Sequence, residues 1–174
     1  MEIRSESIIR HPRAAVYAAY RDNLPEIARD YMPDIKEIIV HKREDNAAGV
    51  SLHNEWVSSA DLPRAMQTVI KPEMMKWNDF ADWDDAGFFV AWRLKTGAFT
   101  DAVICAGRNT FEEIDANTTK VVLTGDLTID PKALPVPRLL AGKMATTIEG
   151  FVVKMITPNL TKVNESLQTY LDKK

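Results

Sequence analysis

The sequence lacks several features that would assign it to a familiar class of enzyme or membrane protein. Only one of its 174 residues is cysteine, so no internal disulfide can form. It contains no glycine-rich phosphate loop and no local signature of a Ser-His-Asp hydrolase. No uncharged apolar run approaches the length that spans a bilayer. These absences argue against nucleotide-dependent enzymes, common hydrolases and integral membrane proteins.

The chain also lacks a strong excess of charge of one sign. It has 22 basic and 25 acidic residues, and its formal net charge is −3. This balance provides no overall attraction to the phosphates of nucleic acid or to anionic lipid. We therefore expect a cytoplasmic protein that binds no nucleic acid and has no membrane segment.

What is present is the composition of an ordinary globular protein, 45% hydrophobic and 27% charged. One domain of this length can bury roughly 70% of the surface that its unfolded chain exposes, which leaves room for a small internal pocket. We expect a single domain over residues 1–174. The lone cysteine, Cys105, lies in an apolar, strand-like stretch, which favours a buried, unreactive thiol over a catalytic nucleophile.

The first 31 residues predict a strand and two short helices. Polar and apolar residues alternate over Glu2–Ile9, which is typical of a half-buried strand. Helical spacing follows from Pro12 to Asp22, and a second helix is predicted over Leu24–Tyr31. Pro33 ends this second helix, because the residue before a proline resists helical dihedral angles.

Six further strands are predicted after these helices. They cover Lys36–Arg43, Val50–Ser58, Met66–Asp84, Gly87–Thr96, Ala102–Ile114 and Thr118–Ile129. In the first hairpin we expect Ile38 to face Trp56 and Val40 to face Asn54 on the core side, with His41 opposite His53 on the outer side.

Two of these strands have unusual features. Pro72 interrupts Met66–Asp84, which predicts an edge or bulged strand. In the last two strands Gly107 and Gly125 fall on one concave face, where missing side chains permit a sharp bend or leave space for a ligand.

A long amphipathic helix closes the chain. After the proline-rich segment 130–137, helical periodicity extends over Arg138–Asp172. Pro158 lies inside this helix, and we expect it to kink or split the helix. The apolar stripe of its first half consists of Leu140, Met144, Ile148, Phe151 and Met155.

This order of elements resembles the START/Bet v 1-like helix-grip superfamily, in particular its polyketide cyclase-like branch. The opening segment Ile8–Tyr17, IIRHPRAAVY, and the closing helix from Arg138 carry the resemblance, which covers essentially the whole chain. It implies an α+β fold in which a curved antiparallel sheet of about seven strands wraps the long C-terminal helix. Two short helices would follow the first strand, and a cavity would lie between sheet and helix. The superfamily has no universal catalytic residues, so none is transferred.

The face assignments identify candidate residues for the lining of that cavity. Concave, mostly apolar sites with a few polar groups bind small molecules, whereas for each apolar candidate taken alone packing in a solid core is the favoured explanation. The candidates are Asn54, Trp56, Trp77, Asp79, Trp92, Asn109, Phe111, Leu140, Met144, Ile148, Phe151 and Met155.

Among these candidates, Asp79 has the most distinctive chemistry. It lies between Trp77 and Ala81 on the predicted inner face, where desolvation would raise its pKa and suit it to general acid or base catalysis. The alternative that the sequence favours is an ion-paired or outward-facing carboxylate.

No metal ion or other cofactor is predicted. His41, His53 and Glu55 supply at most three ligands, and they fall on the presumed outer face. Four carboxylates between residues 79 and 85 lack the spacing of a calcium loop.

Three functions remain after this reading. The first is binding or transport of a hydrophobic small molecule, such as a lipid, isoprenoid or polyketide-like compound. The second is an enzyme of cyclase, aromatase or dehydratase type, in which Asp79 or Tyr17 moves a proton. The third is a protein-interaction domain with an exposed apolar patch. Ligand identity, catalysis and oligomeric state stay open at this point.

Overall fold

The computed structural model describes residues 1–59, 75–97, 99–134 and 136–174, and for residues 151–161 the description is of the backbone. A 3-10 turn, Pro131–Ala133, precedes the last helix. In chain order the helices and strands are β1 (Glu2–Ile9), α1 (Arg13–Asp22), α2 (Leu24–Tyr31), β2 (Ile35–Asp45), β3 (Gly49–Ser58), β4 (Lys76–Asp84), β5 (Phe89–Thr96), β6 (Val103–Asp115), β7 (Thr118–Ile129) and α3 (Arg138–Asp172).

The seven strands form one antiparallel sheet in the order β1-β7-β6-β5-β4-β3-β2. From β2 to β7 each strand pairs with the next one along the chain. The first strand pairs instead with the last one, β7. The helices α1 and α2 therefore carry the chain from one edge of the sheet to the other.

The two short helices are set by local chain chemistry. α1 begins directly after Pro12, and α2 has a proline in its first turn, where a missing backbone N–H costs nothing. The helices meet at Asn23. α2 ends at Tyr31, and the next residue, Met32, has the non-helical dihedral angles expected before Pro33.

One face of the sheet, which we call the inner face, is covered by the helices. α3 packs against β1, β7, α1 and α2. One buried cluster joins α1, α2, the end of α3 and the inner face of the sheet, and it includes Val16, Ile27 and Leu167. In a second cluster Ile148, from the first half of α3, packs with Ile3 and with residues of β6 and β7. None of the helices in the described part of the chain combines the length and apolar character needed to cross a membrane.

The predicted α+β helix-grip architecture is confirmed, including the bounds of β1, α1, α2, β7 and α3. The predicted division at Pro158 is wrong, because α3 runs through that residue as one helix. A proline removes one helical hydrogen bond, and packing of Ile148 before it and Val163 after it keeps both halves in place. The predicted strand Met66–Asp84 begins at Lys76 in the structure, and most of its earlier part lies outside the described residues.

The first hairpin has the predicted register on its inner side only. Ile38 pairs with Trp56 and Val40 with Asn54, as expected. His41 falls in a bulge, so Lys42 rather than His41 pairs with His53. An extra residue in one strand shifts every later pair by one position, and sequence alternation alone does not reveal it.

Candidate functional site

Polar side chains occupy the middle of the inner face. The strand register places Asn54 beside Asp79 and Trp56 beside Trp77. Asn109 lies two strands away from Asp79, on β6. We call Tyr20, Asn54, Trp56, Asp79, Trp92 and Asn109 the inner polar cluster. It sits among apolar side chains rather than at the rim of the sheet, and this position makes it the candidate site.

Asp79 is the acid of the inner polar cluster. Burial raises the pKa of its carboxyl group to about 6, although the neighbouring side chains of Asn54 and Trp56 favour the charged form. No lysine or arginine among the described residues forms an ion pair with it. Its pairing with Asn54 places it on the inner face, so the ion-paired and outward-facing alternatives are wrong, although the side chain is partly exposed. Both protonation states of Asp79 are accessible near neutral pH.

A directed hydrogen-bond chain forms the second part of the cluster. The Nε1–H of Trp92 donates to Oδ1 of Asn109 over 2.9 Å, and Nδ2 of Asn109 donates to the hydroxyl oxygen of Tyr20 over 3.3 Å. Asn109 and Tyr20 are buried. Burial, followed by the negative charge of Asp79, raises the pKa of Tyr20, so its hydroxyl stays protonated.

Some buried polar atoms of the inner face have no hydrogen-bond partner among the described residues. They are Oδ1 of Asn54, Nε1 of Trp56 and Nε1 of Trp83. The Trp56 indole lies close enough to Asp79 to favour its charged form, but it makes no well-formed hydrogen bond to the carboxylate. Asn54 is 4% exposed and Trp56 is 8% exposed. Leaving a buried polar group unsatisfied costs about 1–3 kcal/mol, so each such atom in a native protein calls for an explanation.

The glycine pair of β6 and β7 makes room for the side chain of Trp92 rather than for a ligand. Gly107 and Gly125 lie on one face, as predicted, and they are direct cross-strand partners. A Cβ at Gly107 would lie 2.4 Å from the Trp92 ring, and one at Gly125 would lie 2.7 Å from it. The interpretation of an open space above these glycines is wrong, because the Trp92 indole fills it.

The remaining predicted site residues have different surroundings. Phe111 packs edge-on against Tyr17 and Tyr20, inside the main core. Trp77 stacks on Trp56 with ring centroids 5.6 Å apart and is partly buried. These contacts place Phe111 in the core beneath the cluster and Trp77 at its margin.

The helical candidates are only partly on the inner side. Ile148 is buried and Met144 is partly buried, whereas Leu140 is 52% exposed. Leu140 is a correction to the predicted stripe: Ala141 and Ala145 take the buried positions, because their small side chains let the start of α3 approach its neighbours. The side chains of Phe151 and Met155 lie outside the described residues.

The structure places Tyr20 rather than Tyr17 in the inner polar cluster. The Tyr17 hydroxyl donates to Asp85 over 3.0 Å, in a surface network that also contains Arg21, so it is not part of the inner polar cluster. Tyr20 is the member of the cluster. Its position one turn after Val16 on the buried face of α1 is the sequence signal that would have identified it.

The outer face of β3 and β4 carries paired polar groups. Nε2 of His53 donates to Oδ1 of Asn78 over 2.7 Å, and the His53 ring stacks on Phe80. The rings of His41 and His53 lie 5.1 Å apart. Within the described residues, no group of three or more His, Cys, Asp or Glu side chains could hold a metal ion.

Comparison with known proteins identifies the fold. No family model and no curated protein sequence matches the chain. Solved structures do match, including the Thermus thermophilus protein TTHA0849, with a TM-score of 0.66, 20% identity and coverage of 98% of this chain and 99% of that one. The Zhui aromatase/cyclase from a Streptomyces species gives 0.69 and 16%, with 99% and 94% coverage. The chain has the helix-grip fold.

Norcoclaurine synthase from Thalictrum flavum shares this helix-grip fold, with a TM-score of 0.62, 10% identity and coverage of 100% of this chain and 87% of that one. The predicted resemblance to the START/Bet v 1-like superfamily, with polyketide cyclase-like proteins among its members, is confirmed at the level of the fold. At these identities the similarity transfers no residue roles.

Proposed function

We propose that this helix-grip protein binds a hydrophobic small molecule between the inner face of the sheet and α3, and that the inner polar cluster fixes the orientation of that molecule. The observation that carries the proposal is the pair of buried atoms Oδ1 of Asn54 and Nε1 of Trp56, neither of which makes a well-formed hydrogen bond among the described residues, although both side chains lie beside the Asp79 carboxylate. One is a hydrogen-bond acceptor and the other a donor, so together they are suited to a ligand that has a few polar groups on an apolar frame.

Aromatic side chains around the cluster supply the apolar part of such a site. Trp56, Trp77 and Trp92 all lie on the inner face of neighbouring strands. Removing apolar ligand surface from water contributes roughly 25 cal/mol per Å² before the entropic costs of binding. The fold supports the proposal by analogy, since norcoclaurine synthase has been crystallised in complex with dopamine and hydroxybenzaldehyde.

A second candidate function is catalysis in the same site. The observation that favours it is the pKa of Asp79, about 6, in a cluster that also contains a protonated tyrosine. An acid with this pKa takes up and releases protons near neutral pH, as a cyclase, aromatase or dehydratase requires. We favour binding over catalysis, because the contacts in the inner polar cluster account for binding without any chemical reaction.

The proposed binding function is tested by native mass spectrometry of the protein purified from its host, followed by extraction and identification of any molecule that dissociates. We expect a reproducible mass increment from a hydrophobic compound. Asn54→Leu keeps the side-chain size but deletes the amide, and it should weaken retention of that compound by about tenfold. Glu55→Gln, the next residue on the outer face, is the matched control and should retain the compound like the wild type.

Two results would contradict the proposed function. Wild-type protein that carries no compound and takes none up from a lipid and aromatic extract of the host would remove the binding hypothesis. Equal retention by the wild type and Asn54→Leu would show that the inner polar cluster does not hold the compound.

A further inference from the structure

The direction of the hydrogen-bond chain in the inner polar cluster is fixed by chemistry. A tryptophan indole N–H can only donate, so the atom of Asn109 that faces it must be the amide oxygen, Oδ1. The other end of the amide, Nδ2, can only donate, and it faces the hydroxyl oxygen of Tyr20. The opposite orientation of the amide would place two donors against each other at the Trp92 end.

The same logic fixes the role of the Tyr20 hydroxyl. Its oxygen already accepts a hydrogen bond from Asn109, so its own proton points elsewhere. No acceptor for that proton is present among the described residues. The Tyr20 ring packs edge-on against Trp83 and Phe111, with centroid distances of 5.7 and 5.8 Å. These contacts hold the ring in place and so fix the position of its hydroxyl group.

We propose that Tyr20 is the hydrogen-bond donor to an acceptor oxygen of the ligand, a carbonyl or ionised phenol on an aromatic frame, and that Trp92 and Asn109 are the positioning residues that aim it. This inference rests on the proposed binding function and adds the ligand's chemical class. A buried donor without a protein acceptor discriminates against analogues that lack the oxygen, because it then remains unpaired.

The protonation state of Tyr20 explains why an acceptor on the ligand is favoured over a donor at this position. Burial first, and the negative charge of Asp79 second, raise the pKa of Tyr20 above its ordinary value, so the hydroxyl stays protonated and available to donate. A tyrosinate would instead require a donor on the ligand. The neighbouring rings favour a flat ligand, since aromatic faces and edges pack best against other aromatic groups.

The test uses two matched probes, fluorenone and fluorene, which differ by the carbonyl oxygen. Equilibrium dialysis against the full-length protein measures the affinity for each. We expect the wild type to bind fluorenone about tenfold more tightly than fluorene, as one neutral hydrogen bond predicts. In Tyr20→Phe the two probes should bind equally, with fluorene affinity unchanged.

Tyr17→Phe is the matched control variant. It makes the same chemical change three residues earlier on the same helix, but that hydroxyl already has an acceptor in Asp85. It should retain the tenfold preference for fluorenone. Trp92→Phe should reduce the preference without abolishing it, because the Asn109 amide is then free to reverse. Urea unfolding of each variant separates loss of the fold from loss of discrimination.

The outcomes distinguish this inference from the proposed function. Equal binding of both probes by the wild type overturns the role of Tyr20 while leaving the binding site standing. A preference that survives in Tyr20→Phe also overturns it. Binding of neither probe overturns the aromatic-ketone class, and native mass spectrometry then decides separately whether any hydrophobic compound is bound.

Discussion

The two faces of β3 and β4 treat polar side chains in opposite ways. On the outer face Ser51 donates to Asp82 over 2.7 Å, and Lys76 donates to Glu55 over 3.1 Å. On the inner face Asn54 and Trp56 leave hydrogen-bonding capacity unused among the described residues. Water satisfies an exposed group in any case, whereas a buried group depends on its neighbours. An unpaired polar group therefore costs more free energy on the inner face than on the outer face, and yet the unpaired groups lie on the inner face.

This difference distinguishes polar side chains that stabilise the fold by bonding to each other from polar side chains that remain available to a ligand. Natural proteins keep strained or unsatisfied groups at functional sites and compensate for them elsewhere. Here the compensation is the aromatic core of Tyr17, Trp83 and Phe111 directly beneath the cluster. Three experiments test the comparison between the two faces.

The largest effect is expected from adding a methyl group to the inner face. In Gly107→Ala the new Cβ would lie 2.3 Å from the main-chain oxygen of Thr124 and 2.4 Å from the Trp92 ring. We expect the free energy of unfolding to fall by about 3 kcal/mol, measured by urea denaturation. Gly142→Ala in α3 meets nothing within 4 Å and should gain up to about 1 kcal/mol. A Gly107→Ala protein as stable as the wild type would break the picture of a tightly packed inner face.

A smaller effect, with a defined pH dependence, is expected at Asp79. Its pKa is raised from 3.8 to about 6 on folding, so the folded state binds more protons than the unfolded state between these values. Stability from this group is complete below pH about 4 and is lost as the pH rises through about 6. Because the side chain is partly exposed, Asp79→Asn should stabilise the protein at pH 7 by about 2 kcal/mol.

Urea unfolding at pH 4, 5, 6 and 7 checks the expectation for Asp79. The fall in wild-type stability over this interval should be absent in Asp79→Asn. Asp82→Asn is the control on the outer face of the same strand, where the loss of one exposed hydrogen bond from Ser51 should cost less than about 1 kcal/mol. Parallel pH profiles for the wild type and Asp79→Asn would show that Asp79 has an ordinary pKa.

The smallest effect is expected from the outer-face ion pair of Lys76 and Glu55. A double-mutant cycle with Lys76→Gln and Glu55→Gln should give a coupling free energy of about 0.5 kcal/mol or less, because the lysine is exposed and the pair is screened by solvent. A coupling free energy above about 2 kcal/mol would contradict the distinction between the faces, since an exposed ion pair would then contribute as much to the free energy of unfolding as a buried polar group.

Most of the fold was predictable because its signals are local. Proline positions set the ends of α1 and α2, and alternation of polar and apolar residues marks the strands. The features that could not be predicted depend on neighbours in space. The bulge at His41 comes from pairing with another strand, and the continuity of α3 through Pro158 comes from packing on both sides of the proline.

The candidate site was predictable in part for the same reason. Alternation along the strands predicted Asn54 and Asp79 each on the inner face, and the structure brings the two side by side. The choice between Tyr17 and Tyr20 depends on how α1 is rotated against the sheet, which periodicity limits to a broad face but does not fix. The environment of Asp79 likewise depends on which cations approach it, and a one-dimensional pattern does not reveal that.

The pairing of β1 with β7 has a consequence for how this chain is made. During synthesis the strand Glu2–Ile9 emerges first, yet its hydrogen-bonding partner, Thr118–Ile129, emerges more than a hundred residues later. Until β7 has been synthesised, the strands from β2 onward can pair one after another, whereas β1 has no strand to pair with. Contacts between such distant segments are slow to form. Pairing of β1 with β7 is therefore expected among the last events in the folding of this sheet.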